Sequence, residues 1–232
     1  MKHWGVAIDG PCGAGKSTLA KRLAQELGFL YVDTGAIYRT VGLAVCRRGI
    51  DPDDAPAVTA LLGSLDITMG YGEDGLQHMF LNGEDVTAEI RHNEISAYAS
   101  KAASIPEVRT FLMEMQRRMA QENNVVMDGR DIGTVVLPQA EMKIYLTAAP
   151  EARAQRRYRE LLERGEQADF EQILQEVMER DRRDMGRETA PLRQAEDAVL
   201  ADTTGLDLEE SFRLLLGLIQ SRVGRTEGAA DE

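Results

Sequence analysis

Short apolar runs alternate with stretches of helical spacing along most of the chain. Trp4–Asp9 is too apolar for period-two alternation, the pattern of a short strand buried on both faces. A Gly-rich turn follows. Apolar residues then recur at helical spacing from Lys16 to Leu27, and Gly28 ends that helix. Phe29–Val32 predicts a second strand, closed by Asp33-Thr34-Gly35, and a helix runs on to about Arg48. Pro52 and Pro56 bracket the start of another helix, which carries Leu61 and Leu62.

The region 65–88 changes period. Leu65, Ile67 and Met69 alternate with polar residues, Gly72-Glu73-Asp74-Gly75 reads as a turn, and Leu76–Leu81 alternates again. Asn82-Gly83 before Val86 is a strong two-residue hairpin signal, so a three-stranded antiparallel insertion is expected. Two helices follow, around 89–103 and 106–121, the second opening on Pro106, where a missing N–H costs little. Val125–Met127 and Lys143–Leu146 are further core strands. A helix begins near Pro150, a charged helix spans about 169–185, Ala198–Leu200 is a last strand and 207–222 a last helix. The Gly-, Ala- and acid-rich stretch 224–232 is expected to be a disordered tail. Strands alternating with helices make an α/β fold around a central parallel sheet the economical architecture.

Composition narrows the class. A length of 232 residues allows one large domain with an insertion, at roughly 150 residues per domain. The longest apolar stretch, near Leu214–Ile219, is far short of the ~20 residues a membrane span needs. Met1-Lys2-His3-Trp4-Gly5-Val6 lacks the layout of a secretion signal. Two cysteines, Cys12 and Cys46, cannot build a disulfide framework, so a cytoplasmic location is expected. With 27 Lys+Arg against 39 Asp+Glu, the net charge of −12 argues against a nucleic-acid partner. The three histidines, His3, His78 and His92, have no metal-ligand spacing.

Gly10-Pro11-Cys12-Gly13-Ala14-Gly15-Lys16-Ser17 matches G-x-x-x-x-G-K-[ST], between an apolar strand and a helix. Glycines let a loop turn its N–H groups inward around a phosphate, and the helix N-terminus adds partial positive charge. With Thr18 behind it, the loop is a candidate nucleoside triphosphate site: Lys16 would reach the β- and γ-phosphates and the Ser17 hydroxyl would ligate Mg²⁺. Cys12 is either a thiolate favoured by the helix N-terminus or a small filler.

Ligands of open parallel sheets sit beyond the carboxyl ends of the strands. Three charged clusters occupy such ends: the loop after Asp9, Asp33-Thr34-Gly35, and Asp128-Gly129-Arg130-Asp131. Asp33 and Asp128 could position a metal or cap helices. Among the basic residues, 22 are Arg and five are Lys, and residues 153–193 hold ten Arg and no Lys. Genome base composition accounts for such a ratio as readily as phosphate binding does. Arg180, Asp184 and Arg187 fall at i, i+4 and i+7, on one face if the helix extends that far. An Arg-bearing lid would compensate several phosphate charges and exclude water.

The phosphate loop, Asp33-Thr34-Gly35-Ala36-Ile37-Tyr38-Arg39, Gly129-Arg130-Asp131-Ile132-Gly133-Thr134-Val135-Val136, and Glu179-Arg180-Asp181-Arg182-Arg183-Asp184 through Ala190-Pro191-Leu192 together resemble the bacterial cytidylate kinases, P-loop nucleoside monophosphate kinases. The likeness covers about residues 4–222. It implies a P-loop three-layer fold with a small antiparallel insertion and an Arg-rich lid. A kinase domain would span 1–223, with a monophosphate-binding region over 34–122 and a lid over 153–168. It implies phosphorylation of CMP and dCMP by ATP-Mg²⁺. Arg39, Arg130 and Arg187 would hold the acceptor phosphate; Thr34, Arg180 and Asp184 would lie near its sugar; Ser100, Arg109 and Asp131 would read cytosine; Tyr38 would also bind the substrate; Arg156 and Arg157 would belong to the lid. Thr34 stands where Ser is common in that family, and Ser17 where Gly or Thr is.

The base chemistry agrees. A carboxylate accepts from the cytosine amine, as Asp and Glu do in nucleic acids, and Asp131 is suited to it. Arg109 can donate to N3 or O2, although a surface ion pair with Glu107 or Glu114 is a competing role, and Ser100 could simply be a small packing residue. The rival readings are a kinase for another monophosphate or small metabolite, and a nucleotide-hydrolysing switch. A monomer is expected, because such a fold can enclose its site alone.

Overall fold

The computed structural model describes residues 3–72 and 77–227. In chain order the elements are β1 (Gly5–Asp9), α1 (Lys16–Leu27), β2 (Leu30–Asp33), α2 (Thr34–Arg47), α3 (Ala55–Leu62), β3 (Ile67–Tyr71), β4 (Gln77–Leu81), β5 (Glu84–Asp85), α4 (Asn93–Ala102), α5 (Pro106–Glu122), β6 (Val125–Gly129), β7 (Met142–Thr147), α6 (Pro150–Glu163), α7 (Phe170–Met185), β8 (Val199–Asp202) and α8 (Leu208–Glu227). No helix among the described residues is long and apolar enough to cross a membrane. The chain divides into two compact units, one of Met1–Tyr31 with Glu122–Glu232 and the other of Val32–Gln121.

The first unit is built on a five-stranded sheet in the order β2-β6-β1-β7-β8. The pairs β1–β6, β1–β7 and β7–β8 are parallel. Every residue of β1 and β6 is buried, which is why these strands read as continuous apolar runs. Helices α1 and α8 supply Leu19, Leu23, Leu215 and Ile219 to a core shared with Val6, Ile8, Ile144 and Leu146. A smaller cluster of Ala154, Leu161, Ile173 and Val177 joins α6 to α7. The register sets Ile8 beside Asp128 and Asp9 beside Gly129, so the residues leaving β1 and β6 emerge side by side.

In the second unit α2 packs on α4 so tightly that a Cβ on Gly42 would lie 2.7 Å from the Ala99 nitrogen. The strands β3-β4-β5 form the antiparallel insertion expected from the alternation over 65–88. Asn82 and Gly83 both have positive φ (53° and 83°) and join the paired residues Leu81 and Glu84, the backbone a two-residue hairpin demands. The expected turn over 72–75 lies largely outside the described residues, as do residues 228–232 of the expected tail.

Four details depart from the periodicity. The helix expected over 89–103 is interrupted at His92, whose extended backbone separates a 3₁₀ turn, Glu89–Arg91, from α4. A five-residue π turn, Ile132–Val136, follows β6 where no element was expected. Helix α7 stops at Met185, so Arg187 is not on it. Helix α8 continues to Glu227, through residues 224–227 that composition alone assigned to the tail.

Candidate active site

The phosphate loop has the backbone its glycines permit. Gly10, Gly13 and Gly15 have φ of 153°, 75° and 85°. Gly10 has no alternative, because a Cβ there would sit 1.9 Å from the Leu146 carbonyl oxygen. Gly15 is the N-cap of α1 and offers no side-chain cap, so the first N–H groups of that helix are left to a ligand. The Lys16 ammonium is buried and donates to the Pro11 carbonyl at 2.7 Å. Burial, then Arg130, brings its pKa down from 10.5 to about 7, against the pull of Asp128. Ser17 Oγ donates to Asp128 Oδ2 at 3.0 Å, and Tyr31 donates to Asp128 Oδ1 at 2.9 Å.

Beyond β6, Arg130 Nε donates to Asp184 Oδ2 at 2.8 Å and Arg187 Nη2 donates to Asp184 Oδ1 at 2.6 Å. Burial would raise the Asp184 carboxyl, but Arg130 and Arg187 outweigh it and hold it below its ordinary range. The Arg187–Asp184 contact survives the end of α7 because the chain folds back, with the Leu192 N–H on the Asp184 carbonyl. Arg180, one turn earlier, has a buried Nε with no hydrogen bond among the described residues, an available donor for an anion. Cys12 sits among these cations. Burial alone would raise its thiol, yet Arg180, Arg130 and Lys16 together bring it below its usual value. Asp131 is buried beside Arg130.

Three further residues frame this region. Asp9, the last residue of β1, accepts from the Ile132 and Gly133 N–H groups, both at 2.8 Å, and so ties the π turn to the start of the phosphate loop. Its burial outweighs those bonds and lifts its pKa to about 6. Arg153, at the start of the expected lid, is buried, at 2% exposed. Arg156 donates to the Thr203 carbonyl at 2.7 Å.

In the second unit, Asp33 caps α2 by accepting from the Ala36 N–H at 2.9 Å. It also accepts from Arg91 at 2.9 Å and lies 3.5 Å from Arg39. Burial opposes ionisation there, but Arg39 and Arg91 prevail and keep the carboxyl below its usual range. Gln77 accepts from the Asp33 N–H at 2.8 Å. Thr34 is buried directly after it. Arg109 is buried, donates to the Ala103 carbonyl and lies over the Tyr38 ring at 5.6 Å, so the surface role considered for it is replaced by a core one. Ser100 lies half-buried on α4.

Residues 6–221 match the cytidylate kinase family model. The chain belongs to the cytidylate kinase family. It is 51% identical over 218 residues to a cytidylate kinase of Caldicellulosiruptor bescii, covering 94% of this chain and 96% of that protein. It is 49% identical over 214 residues to a cytidylate kinase of Carboxydothermus hydrogenoformans, covering 92% of this chain and 96% of that one. Among solved structures, a gluconokinase from Sinorhizobium meliloti matches with a TM-score of 0.50 at 14% identity, over 98% of each chain, a likeness of fold alone.

Within the first unit of this cytidylate kinase family member, Lys16, Ser17, Asp128, Arg130, Asp184 and Arg187 come together as one connected group. Within the second, Asp33, Arg39 and Arg91 form another. Sequence reasoning missed Asp9, Arg91 and Asp181, and it set Arg153 in the lid without foreseeing its contact with the phosphate loop. Asp9 had a signal, since it is the only charged residue in an otherwise apolar strand running into the loop. Arg91 had none, because its approach to Asp33 depends on the break at His92.

Proposed function

We propose that this chain transfers the terminal phosphoryl group of ATP to a phosphate oxygen of CMP or dCMP, forming ADP and CDP or dCDP. The observation that carries the reading is the Ser17–Asp128 hydrogen bond at 3.0 Å, which joins the donor loop to the strand end from which Arg130 and Asp131 follow. The attacking oxygen is already an ionised phosphate oxygen, so no strong general base is needed. Catalysis then rests on positioning and on charge compensation.

Lys16, with the N–H groups of Gly13 to Thr18, holds the donor phosphates. Arg130 and Arg187, ordered by Asp184, neutralise charge gathering around the transferred group, and with Arg39 they hold the acceptor phosphate. Arg180, with its buried free Nε, fits an oxyanion nearby. Thr34 and Asp184 face the sugar, Asp131, Arg109 and Ser100 read the base, and Tyr38 supports the substrate site under Arg109. Arg156 and Arg157 close over the donor from the part of the 153–168 lid that lies beyond the buried Arg153, for which Arg156 must release the Thr203 carbonyl.

The donor set suits Mg²⁺, a hard cation that takes one or two protein oxygens and completes its shell with phosphate and water. Ser17 and Asp128 would hold it, and it would supply charge neutralisation between phosphates. Asp33, considered for this role, is engaged by a helix cap and two guanidinium groups and fits better as the anchor of Arg39. A monomer acting in the reducing cytoplasm is consistent with two unbridged cysteines.

A coupled assay for ADP with a panel of acceptors tests the reading. ADP release should depend on CMP or dCMP and be weak with UMP and purine monophosphates. Equal ADP release with and without CMP would instead indicate a nucleotide-hydrolysing switch.

A further inference from the structure

Arg153 is nearly inaccessible, yet it spends every hydrogen bond found for it on three separate parts of the first unit. Its Nε donates to the Ala148 carbonyl, just beyond β7, at 2.9 Å. Its Nη1 donates to the Cys12 carbonyl of the phosphate loop, also at 2.9 Å. Its Nη1 and Nη2 then form a fork on Asp181 of α7, at 3.1 and 2.5 Å. A bidentate Arg–carboxylate pair fixes orientation as well as distance, and one this buried is poorly screened.

The bond to Cys12 has a directional consequence. In a trans peptide the C=O and the following N–H point in opposite directions, and no cis peptide occurs among the described residues. Holding the Cys12 carbonyl toward Arg153 therefore turns the Gly13 N–H the other way, away from Arg153. Gly13, at φ 75°, supplies the left-handed step that lets successive N–H groups converge on an anion. A Cβ on Gly13 would lie 3.3 Å from Arg153 Cβ, so the loop rests directly on this side chain. At the other end of the fork, Asp181 lies between Arg180 and Asp184 on the helix that orders Arg130 and Arg187.

We propose that Arg153 and Asp181 form a positioning pair that sets the orientation of the Cys12–Gly13 peptide and couples the donor loop to α7. Neither residue touches the reacting atoms. The pair acts through the Gly13 N–H on one side and through Arg180 and Asp184 on the other. Donor binding, which tightens the loop, steadies α7, and acceptor binding on α7 steadies the loop, so each substrate strengthens the affinity for the other. The inference rests on the reading of the loop as an ATP-phosphate cradle.

The test uses the full chain with Arg153→Lys, Asp181→Asn and the double variant. A non-hydrolysable ATP analogue is titrated calorimetrically with and without saturating CMP, and the Gly13 amide is followed by ¹⁵N NMR. In the unmodified protein CMP should tighten analogue binding several-fold, and the Gly13 amide should shift on binding. Each single variant should bind the analogue about tenfold more weakly, with the Gly13 shift reduced and the CMP effect lost, and the double variant should be little worse than either. Asp181→Glu, which keeps the charge, should recover part of the affinity.

Variants that melt earlier but keep the analogue affinity, the Gly13 shift and the CMP effect would reduce the pair to a packing role and overturn the proposal. If Arg153→Lys fails to fold, Asp181→Asn, isosteric and partly exposed, decides alone by the same readouts. Failure of the unmodified protein to bind the analogue at all would reject the cradle itself, a distinguishable result.

Discussion

Arg130 Nε and Asp184 Oδ2 meet at 2.8 Å, and the second oxygen of the same carboxylate accepts from Arg187, so one buried anion orders two guanidinium groups from different parts of the chain. Removing one member of such a group leaves the others charged and uncompensated, at a cost of ~3 kcal/mol or more. Asp184→Asn should therefore lower kcat/KM at least a hundredfold and reduce stability in urea by ~3 kcal/mol at pH 7. The pH dependence has a definite sign. The folded carboxyl is held below its unfolded value, so its contribution is full above that value and is lost as pH falls through the folded one. The stability gap between variant and unmodified protein should close on acidification below about pH 4. A gap independent of pH would exclude the ion pair as its source.

Lys16 has its pKa brought down to about 7, chiefly by burial and Arg130. Donor phosphates would restore the ammonium, so binding should be accompanied by proton uptake above pH 7. Analogue affinity should be level below pH 7 and weaken as pH rises beyond it. Calorimetry in buffers of different ionisation enthalpy measures the uptake, and Lys16→Met should abolish it. Phosphoryl transfer by Lys16→Ala should fall by roughly 10²–10³ with the fold retained, the scale seen when one charge-stabilising donor is removed.

Asp131 is buried next to Arg130. A carboxylate accepts from the cytosine amine and repels the uracil carbonyl, whereas an amide can present either a donor or an acceptor. Asp131→Asn should narrow the kcat/KM preference for CMP over UMP by ~10-fold or more. An unchanged ratio, with both values lower, would assign Asp131 to holding the loop and not to reading the base.

Gly10→Ala should prevent folding. Its Cβ would need to occupy space 1.9 Å from a backbone oxygen of β7, which cannot yield as a side chain end could. Gly13→Ala meets nothing closer than the Cβ of Arg153 at 3.3 Å but retains a left-handed φ, so a folded protein weakened by ~1–2 kcal/mol is expected. Thermal melting of the two variants separates these outcomes.

The apolar runs and their spacing were sufficient to foresee the alternation of strands and helices, the antiparallel insertion and the phosphate loop. All of these depend on local period and on residues such as Gly15 and Gly83 with few conformational substitutes. Helix α1 matches its expected span from Lys16 to Leu27 because a glycine bounds each end. What depended on neighbours distant in the chain was not legible. Arg153 stands in a charged helix and looks like its exposed neighbours, but the turn from β7 into α6 drives it under the phosphate loop. The acidic residues Asp33 and Asp128 likewise both end apolar runs; only packing gave one a pair of arginines and the other a serine and a tyrosine hydroxyl. A single sequence carries period and backbone permission, which are short-range. Which charge meets which is decided when sheet register and helix packing bring distant residues together.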